Sequence, residues 1–274
     1  MRWLVLISLV CSLFEGVAEA ESCPSKLAVT KLAPGLTLER KRPAIAPPLP
    51  GASPCLWMVR VDPKKFSLHL ATATMAKART PAEWIASSEF VAVINAAMYA
   101  PSGRPTGFTV AKGKVINGHV NRQYGAYLAF GPRKKGLPAV EMASPRCAGF
   151  DLERLRRDYH SIVQNYRLLD CDAKAVSWKD PKMHSAAAVA VDTRGRVVFV
   201  HMVTPYRMRE FSRILADPEL GLAAAMFVEG GTPAQMSLRR GQSVVERIGA
   251  YEALGLRRGG TPEALPNVLG FRPR

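Results

Sequence analysis

The run 223–228, Ala-Ala-Ala-Met-Phe-Val, is apolar throughout and stops at Glu229-Gly230-Gly231. A run this short and apolar reads as a buried strand, which commits the chain to a core built on β-sheet. Its exit is as informative as its body. Two glycines let the backbone take angles closed to other residues and let a ligand approach the bare chain, and Glu229 places a carboxylate at that exit. A tight turn after a strand, with a solvated glutamate, is the alternative that this pattern leaves open.

The rest of the chain alternates β-like runs with a few helical ones. Residues 56–61 and 66–71 are β-like, and Asp62-Pro63-Lys64-Lys65 between them reads as a hairpin turn. Thr80-Pro81-Ala82-Glu83 starts a helix: Thr80 caps it, Pro81 suits the first helical position, and Glu83 completes a capping box. Residues 90–94 follow as a buried strand ending at Asn95. Residues 107–111 and 114–117 form a hairpin across Lys112-Gly113, and 125–130 is another strand. Helical spacing over 150–159 puts Leu152, Leu155 and Tyr159 on one face, and 162–169 is strand-like. Residues 187–191 and 197–202 pair across 192–195. Residues 207–216 are amphipathic, with Met208, Phe211, Ile214 and Leu215 inward, and 235–238 and 244–245 continue the sheet. No internal repeat or composition break follows residue 55. The expectation is a single α+β domain, with a mixed twisted β-sheet core and a few packed helices. A hydrophobic content of 48% is ample for such a core.

Residues 1–20 are set apart as a signal peptide. Arg2 precedes an apolar stretch of twelve residues, too short to span a bilayer, and Ala18-Glu19-Ala20 has the form of a cleavage site. Residues 21–55 read as a proline-rich leader and 56–274 as the functional domain. No transmembrane segment is expected. Four cysteines remain after the signal, and export favours disulfides among them. Three connectivities are open. Cys23–Cys55 and Cys147–Cys171 are favoured because each closes a local loop, and each would stabilise by roughly 3 kcal/mol. The formal charge is +16, and +17 without the signal's Arg2, Glu15 and Glu19. Export makes nucleic acid a poor partner for that charge; an anionic glycan, a phosphodiester polymer or an anionic membrane surface suits it better.

Three strand ends carry polar groups: Asn95, Arg167 and Glu229. Asn offers a donor and an acceptor, Arg a planar fork for phosphate or carboxylate, and Glu a base, nucleophile or charge stabiliser. Their convergence would grip an anion and act on an adjacent sugar carbon. Among the aromatic residues, Tyr99 and Tyr124 lie beside polar turns and could stack on a sugar ring. His119 with Asn121 could bind a ligand, His201 reads as structural, and His184-Ser185 cannot act on each other from opposite faces of an extended chain. There is no nucleophile elbow, Walker loop, dinucleotide fingerprint or zinc-ligand spacing.

At these residues the chain resembles the phosphodiester glycosidase family, in its bacterial exported branch. The resemblance rests on Asn95-Ala-Ala-Met98-Tyr99, the hairpin 107–117, Gln164-Asn-Tyr-Arg167 with Cys171, Ser185, Asp192-Thr-Arg-Gly195-Arg196, Glu229-Gly230-Gly231 and the closing Leu265-Pro-Asn-Val-Leu-Gly270. It covers roughly residues 56–271. It implies a glycosidase acting on a sugar joined through its anomeric carbon to a phosphodiester. Glu229, Arg167 and Asn95 would carry the chemistry, and Ser185, Gly230, Gly231, Gln164, Asn121, Tyr99 and Met98 would hold the substrate. Many relatives carry Asp where Glu229 stands, and an arginine near Ser185 that this chain lacks.

The expectation is therefore an exported periplasmic or secreted hydrolase whose partner is an anionic glycan or sugar-phosphate substrate. No cofactor is expected, and no ligand cluster argues for a metal. The rival reading is a non-catalytic binder of an anionic glycan on the same fold. A second acid near Glu229 would favour the enzyme, with Asp170, Asp172 and Asp180 as candidates. Oligomeric state is invisible in the sequence.

Overall fold

Leu56 and Met58 point to one side of their strand, Trp57, Val59 and Val61 to the other, and both sides are buried. Such two-sided burial recurs in the computed structural model of the protein, which describes residues 23–49, 54–250 and 261–274. The expected signal peptide lies outside the described residues.

The chain opens with strands β1 (Ala28–Ala33), β2 (Leu36–Lys41), β3 (Leu56–Val61) and β4 (Phe66–Thr72). Helix α1 (Pro81–Ser88) leads to β5 (Ala92–Asn95) and the hairpin β6 (Thr109–Ala111) and β7 (Lys114–Asn117). Then come β8 (Ala126–Pro132), β9 (Val140–Ala143), α2 (Leu152–Asp158) and β10 (Tyr159–Asn165). The long hairpin β11 (Met183–Asp192) and β12 (Val197–Arg207) runs into α3 (Met208–Leu215). Strands β13 (Leu222–Gly230), β14 (Gln235–Arg240), β15 (Ser243–Ile248) and β16 (Asn267–Pro273) follow.

These strands form three sheets, in the orders β1-β2-β3-β12-β11-β13, β7-β6-β10-β8-β9 and β15-β14-β5-β16-β4. The fold is α+β, and each pairing between these strands is antiparallel. One face of each sheet contributes to a shared central core, seen in Val59 and Phe199, Leu128 and Val163, and Ile94 and Phe271. Each opposite face is covered by one helix. Phe211 and Leu215 of α3 pack on the first sheet, Leu155 of α2 on the second, and Trp84 and Ile85 of α1 on the third. Period-two alternation thus gives each strand an inner and an outer apolar face, and the helices keep the outer one dry.

Local signals hold closely. Thr80 and Glu83 form the capping box at α1. Lys112 and Gly113 both take positive φ, 49° and 84°, as a two-residue hairpin turn requires. Three expectations change. Residues 62–65 do not close a hairpin: β2 and β12 occupy both flanks of β3, so the chain crosses to the third sheet, where β4 pairs with β16. Tyr159 is already extended and pairs with Pro132, so β10 begins earlier than expected. The run 235–238 joins β5 in the third sheet rather than prolonging the sheet of β13. The segment expected as a leader contributes β1 and β2, with Leu36 and Leu38 in the core. The favoured disulfides, Cys23–Cys55 and Cys147–Cys171, are both present. Asp192 of the Asp-Thr-Arg-Gly-Arg motif serves the fold: it closes its hairpin turn and pairs with buried Arg60, which also holds Glu39.

Candidate active site

Glu229 stands one residue after an irregularity in β13. Ala187 of β11 faces Glu229 and Ala188 faces Phe227, so Val228 is the extra residue of a β-bulge. The bulge pairs Glu229 with Ala187 of β11 and shifts the register of every residue beyond it. The Val228 carbonyl accepts from Asn165 Nδ2 at 3.3 Å. Sequence reading passed over Asn165, whose only signal was a polar residue at the end of an apolar strand.

The turn that follows is held from four sides. Buried Asn95 donates through Nδ2 to the Pro233 carbonyl and accepts at Oδ1 from the Gln235 N–H at 2.8 Å. His201 Nε2 donates to the Ala234 carbonyl at 2.8 Å, and Gly249 N–H reaches the same oxygen at 2.8 Å. Gly231 N–H donates to the Ser185 carbonyl at 3.0 Å. The Ser185 hydroxyl donates to the Val203 carbonyl and accepts from the Ala250 N–H. Asn95 and Ser185, expected at the substrate, thus spend their polar atoms on backbone groups. Such partners are obligatory, because a buried N–H or C=O left unmet costs about 1–3 kcal/mol.

Gln164 plays the same part on the neighbouring loop. It is buried, accepts from Phe108 and Asn121 N–H, and donates to the Asn121 and Tyr124 carbonyls. Asn121 uses its Oδ1 for the Gln123 N–H within its own turn. Met98 and Tyr99 are half-buried; the Met98 carbonyl binds Thr106, and Tyr99 bridges Pro105. The Tyr124 hydroxyl lies 2.8 Å from Thr106 Oγ1, and its ring meets Tyr166 edge-on at 4.5 Å.

Half-buried Glu229 is the group whose chemistry this framework changes most. Burial first, and then the charge of Glu263, push its carboxyl up to about 8, although the Gly230 N–H at 3.1 Å favours the ionised form. Glu263 is tied to buried Gln235: Gln235 Nε2 donates to the Glu263 carbonyl at 3.0 Å, and the Glu263 N–H donates to Gln235 Oε1 at 3.2 Å. This second acid was missed, since its only mark is its place just before the closing Leu265-Pro-Asn motif. The acids weighed instead lie in other turns: Asp170 accepts from Asp172 and Lys174 N–H, and Asp180 from Lys182 N–H.

Arg167 bridges Met226 of β13, but its guanidinium turns to the Cys147–Cys171 sulfurs, 3.3 Å from each. It lines a cavity whose walls do not include Glu229. Among the described residues no cluster of three His, Cys, Asp or Glu could hold a metal, and no helix is long and apolar enough to cross a membrane.

Several solved structures share this fold, and three show how far the likeness goes. A hypothetical protein from Synechocystis superposes with a TM-score of 0.62 at 13% identity, over 90% of this chain and 64% of the other, so the chain spans less than two thirds of that protein. The zebrafish N-acetylglucosamine-1-phosphodiester alpha-N-acetylglucosaminidase catalytic domain, auto-inhibited by its pro-peptide, gives 0.61 at 13% identity, over 92% and 87%. A putative exported protein from Burkholderia pseudomallei gives 0.54 at 12% identity, over 81% and 74%. At these identities the likeness is one of fold. No curated protein matches the sequence. The family model for phosphodiester glycosidases matches residues 88–272, which takes in the strand ending at Asn95, the Glu229 turn and the closing motif. That span is more than half of the chain, and the chain belongs to the phosphodiester glycosidase family.

Proposed function

We propose that the protein is a hydrolase that cleaves a glycosyl phosphodiester, a sugar joined through its anomeric carbon to a phosphodiester, after export to the bacterial envelope. The observation that carries this reading is the match of residues 88–272 to the phosphodiester glycosidase family, with the Glu229 turn inside that span and the Glu229 carboxyl raised beside the charge of Glu263. A phosphodiester brings its own negative charge, which two ionised carboxylates would repel. One carboxylic acid and one carboxylate tolerate it, and the acid offers a hydrogen bond to a phosphate oxygen.

The roles follow from that state. Glu229, protonated at neutral pH, gives its proton to the leaving phosphate as the anomeric C–O bond breaks. Glu263 takes a proton from the water that adds to the anomeric carbon, and its charge steadies the oxocarbenium-like sugar. A phosphate monoester leaves readily, so a weak acid suffices. The sequence suggested a base, nucleophile or charge stabiliser at Glu229; a pKa of about 8 favours the acid. Export is supported by the apolar N-terminal stretch and the two disulfides.

The test is sugar release from a panel of glycosyl phosphodiesters by wild type and Glu229→Gln, with and without EDTA. Release that falls by about 10²–10⁴ in the variant supports the acid role. Loss with EDTA would add a metal requirement. No release by a folded wild type across the panel would replace this reading with that of a non-catalytic glycan binder.

A further inference from the structure

A cavity of about 370 Å³ lies where the first sheet's edge strand β13 passes the second sheet's edge strand β9. The Cys147–Cys171 disulfide straps its mouth. It opens beside the start of β13, at Ala223, Ala224 and Ala225, whereas Glu229 stands near the strand's other end. Small side chains leave the room: Ala126, Ala143, Ala148 and Gly149 join those alanines in the wall. The volume falls in the range of small-ligand sites.

The charge in this cavity is unmatched. Arg167 forms no ion pair among the described residues, and its Nη1 meets only the two disulfide sulfurs, which are weak acceptors. Burial first, and then the neighbouring Arg146, disfavour its charge, with Asp170 alone opposing them. Asp170 is turned to its own loop, where Oδ1 accepts two backbone N–H groups. On the facing wall Glu141 is neutralised by Arg154 and receives the Tyr159 hydroxyl. A planar guanidinium in a small, mainly apolar cavity is a fork for two oxygens of an anion.

We infer that this cavity is a second binding site, separate from Glu229, in which Arg167 holds the phosphate of a sugar-phosphate unit. The ligand is a phosphate oxyanion carrying a body of about monosaccharide size, supplied either as a free sugar monoester or as one unit of a phosphodiester chain. The site stands whether or not Glu229 hydrolyses anything.

The test is calorimetric titration of the disulfide-intact protein with glucose 1-phosphate, with a glycerol-phosphodiester oligomer and with glucose alone. Arg167→Gln and Ala148→Phe are compared with wild type. Ala148 is an exposed loop residue, so Phe there narrows the mouth while leaving the charge and the core intact. The expected result is binding of a phosphate ligand, none of glucose, and weakening of at least about 10-fold in both Arg167→Gln and Ala148→Phe. Preference for the monoester or for the oligomer tells the two sources apart. Unchanged affinity in Arg167→Gln or in Ala148→Phe, or no binding of either phosphate ligand at millimolar concentration, would overturn the site.

Discussion

A Cβ placed on Gly249 would lie 2.0 Å from the carbonyl oxygen of Gly231, the second glycine after Glu229. It would also lie 2.8 Å from the Ala234 carbonyl oxygen. Both obstacles are backbone, so neither can swing away. Gly249→Ala should therefore cost about 1–3 kcal/mol and displace the Glu229 turn, lowering turnover beyond the stability loss. Urea unfolding and turnover of the folded protein check this; an unchanged variant in both would show that the turn adapts freely.

Asn95 is fully buried, and both of its polar atoms are bonded to backbone groups of the Glu229 turn. Asn95→Ala strips partners from the buried Pro233 carbonyl and Gln235 N–H, at about 2–4 kcal/mol in total. Substrate affinity of the folded fraction should stay near wild type. A large rise in KM at unchanged stability would instead mean that Asn95 touches substrate.

Turnover should respond to pH through Glu229. With its carboxyl at about 8, the acid is present at neutral pH and is lost as pH rises through that value. The rate should fall above about pH 8 in a wild-type profile. A rate that climbs with pH across the same range would assign Glu229 to the base.

Stability should peak between two buried groups. Glu229 is raised on folding, so its contribution is fully present below the ordinary carboxylate range and is lost as pH rises towards 8. His201 is lowered to about 4, chiefly by burial, so its contribution is present above about 6.5 and is lost as pH falls towards 4. Glu229→Gln should remove the fall in unfolding free energy between about pH 4.5 and 8, by on the order of 3 kcal/mol, and leave the slope below about pH 4.5 alone. Identical profiles for variant and wild type would deny the buried carboxyl.

What was legible in the sequence is what a short stretch decides by itself. The Thr80–Glu83 capping box, the Lys112-Gly113 turn and the inward face 208–215 depend on neighbours a few residues away, and all three stand in the structure. Strand partnership does not work that way. Residues 62–65 look like a hairpin turn locally, yet β3 already has β2 and β12 at its flanks, and those partners come from distant parts of the chain.

The site divides along the same line. The sequence by itself determined that Glu229 ends a buried strand before two glycines, and that Asn95, Gln164 and Ser185 are polar residues at or beside strand ends. An amide or hydroxyl serves a ligand or a backbone group equally well, and only tertiary packing supplies the backbone groups that these three saturate. The tertiary structure alone brought Glu263 to Glu229, turned Arg167 to the disulfide, and buried the Glu229 carboxyl enough to favour its proton. A pKa and a partner are properties of the surroundings, and these surroundings were assembled from strands far apart in the chain.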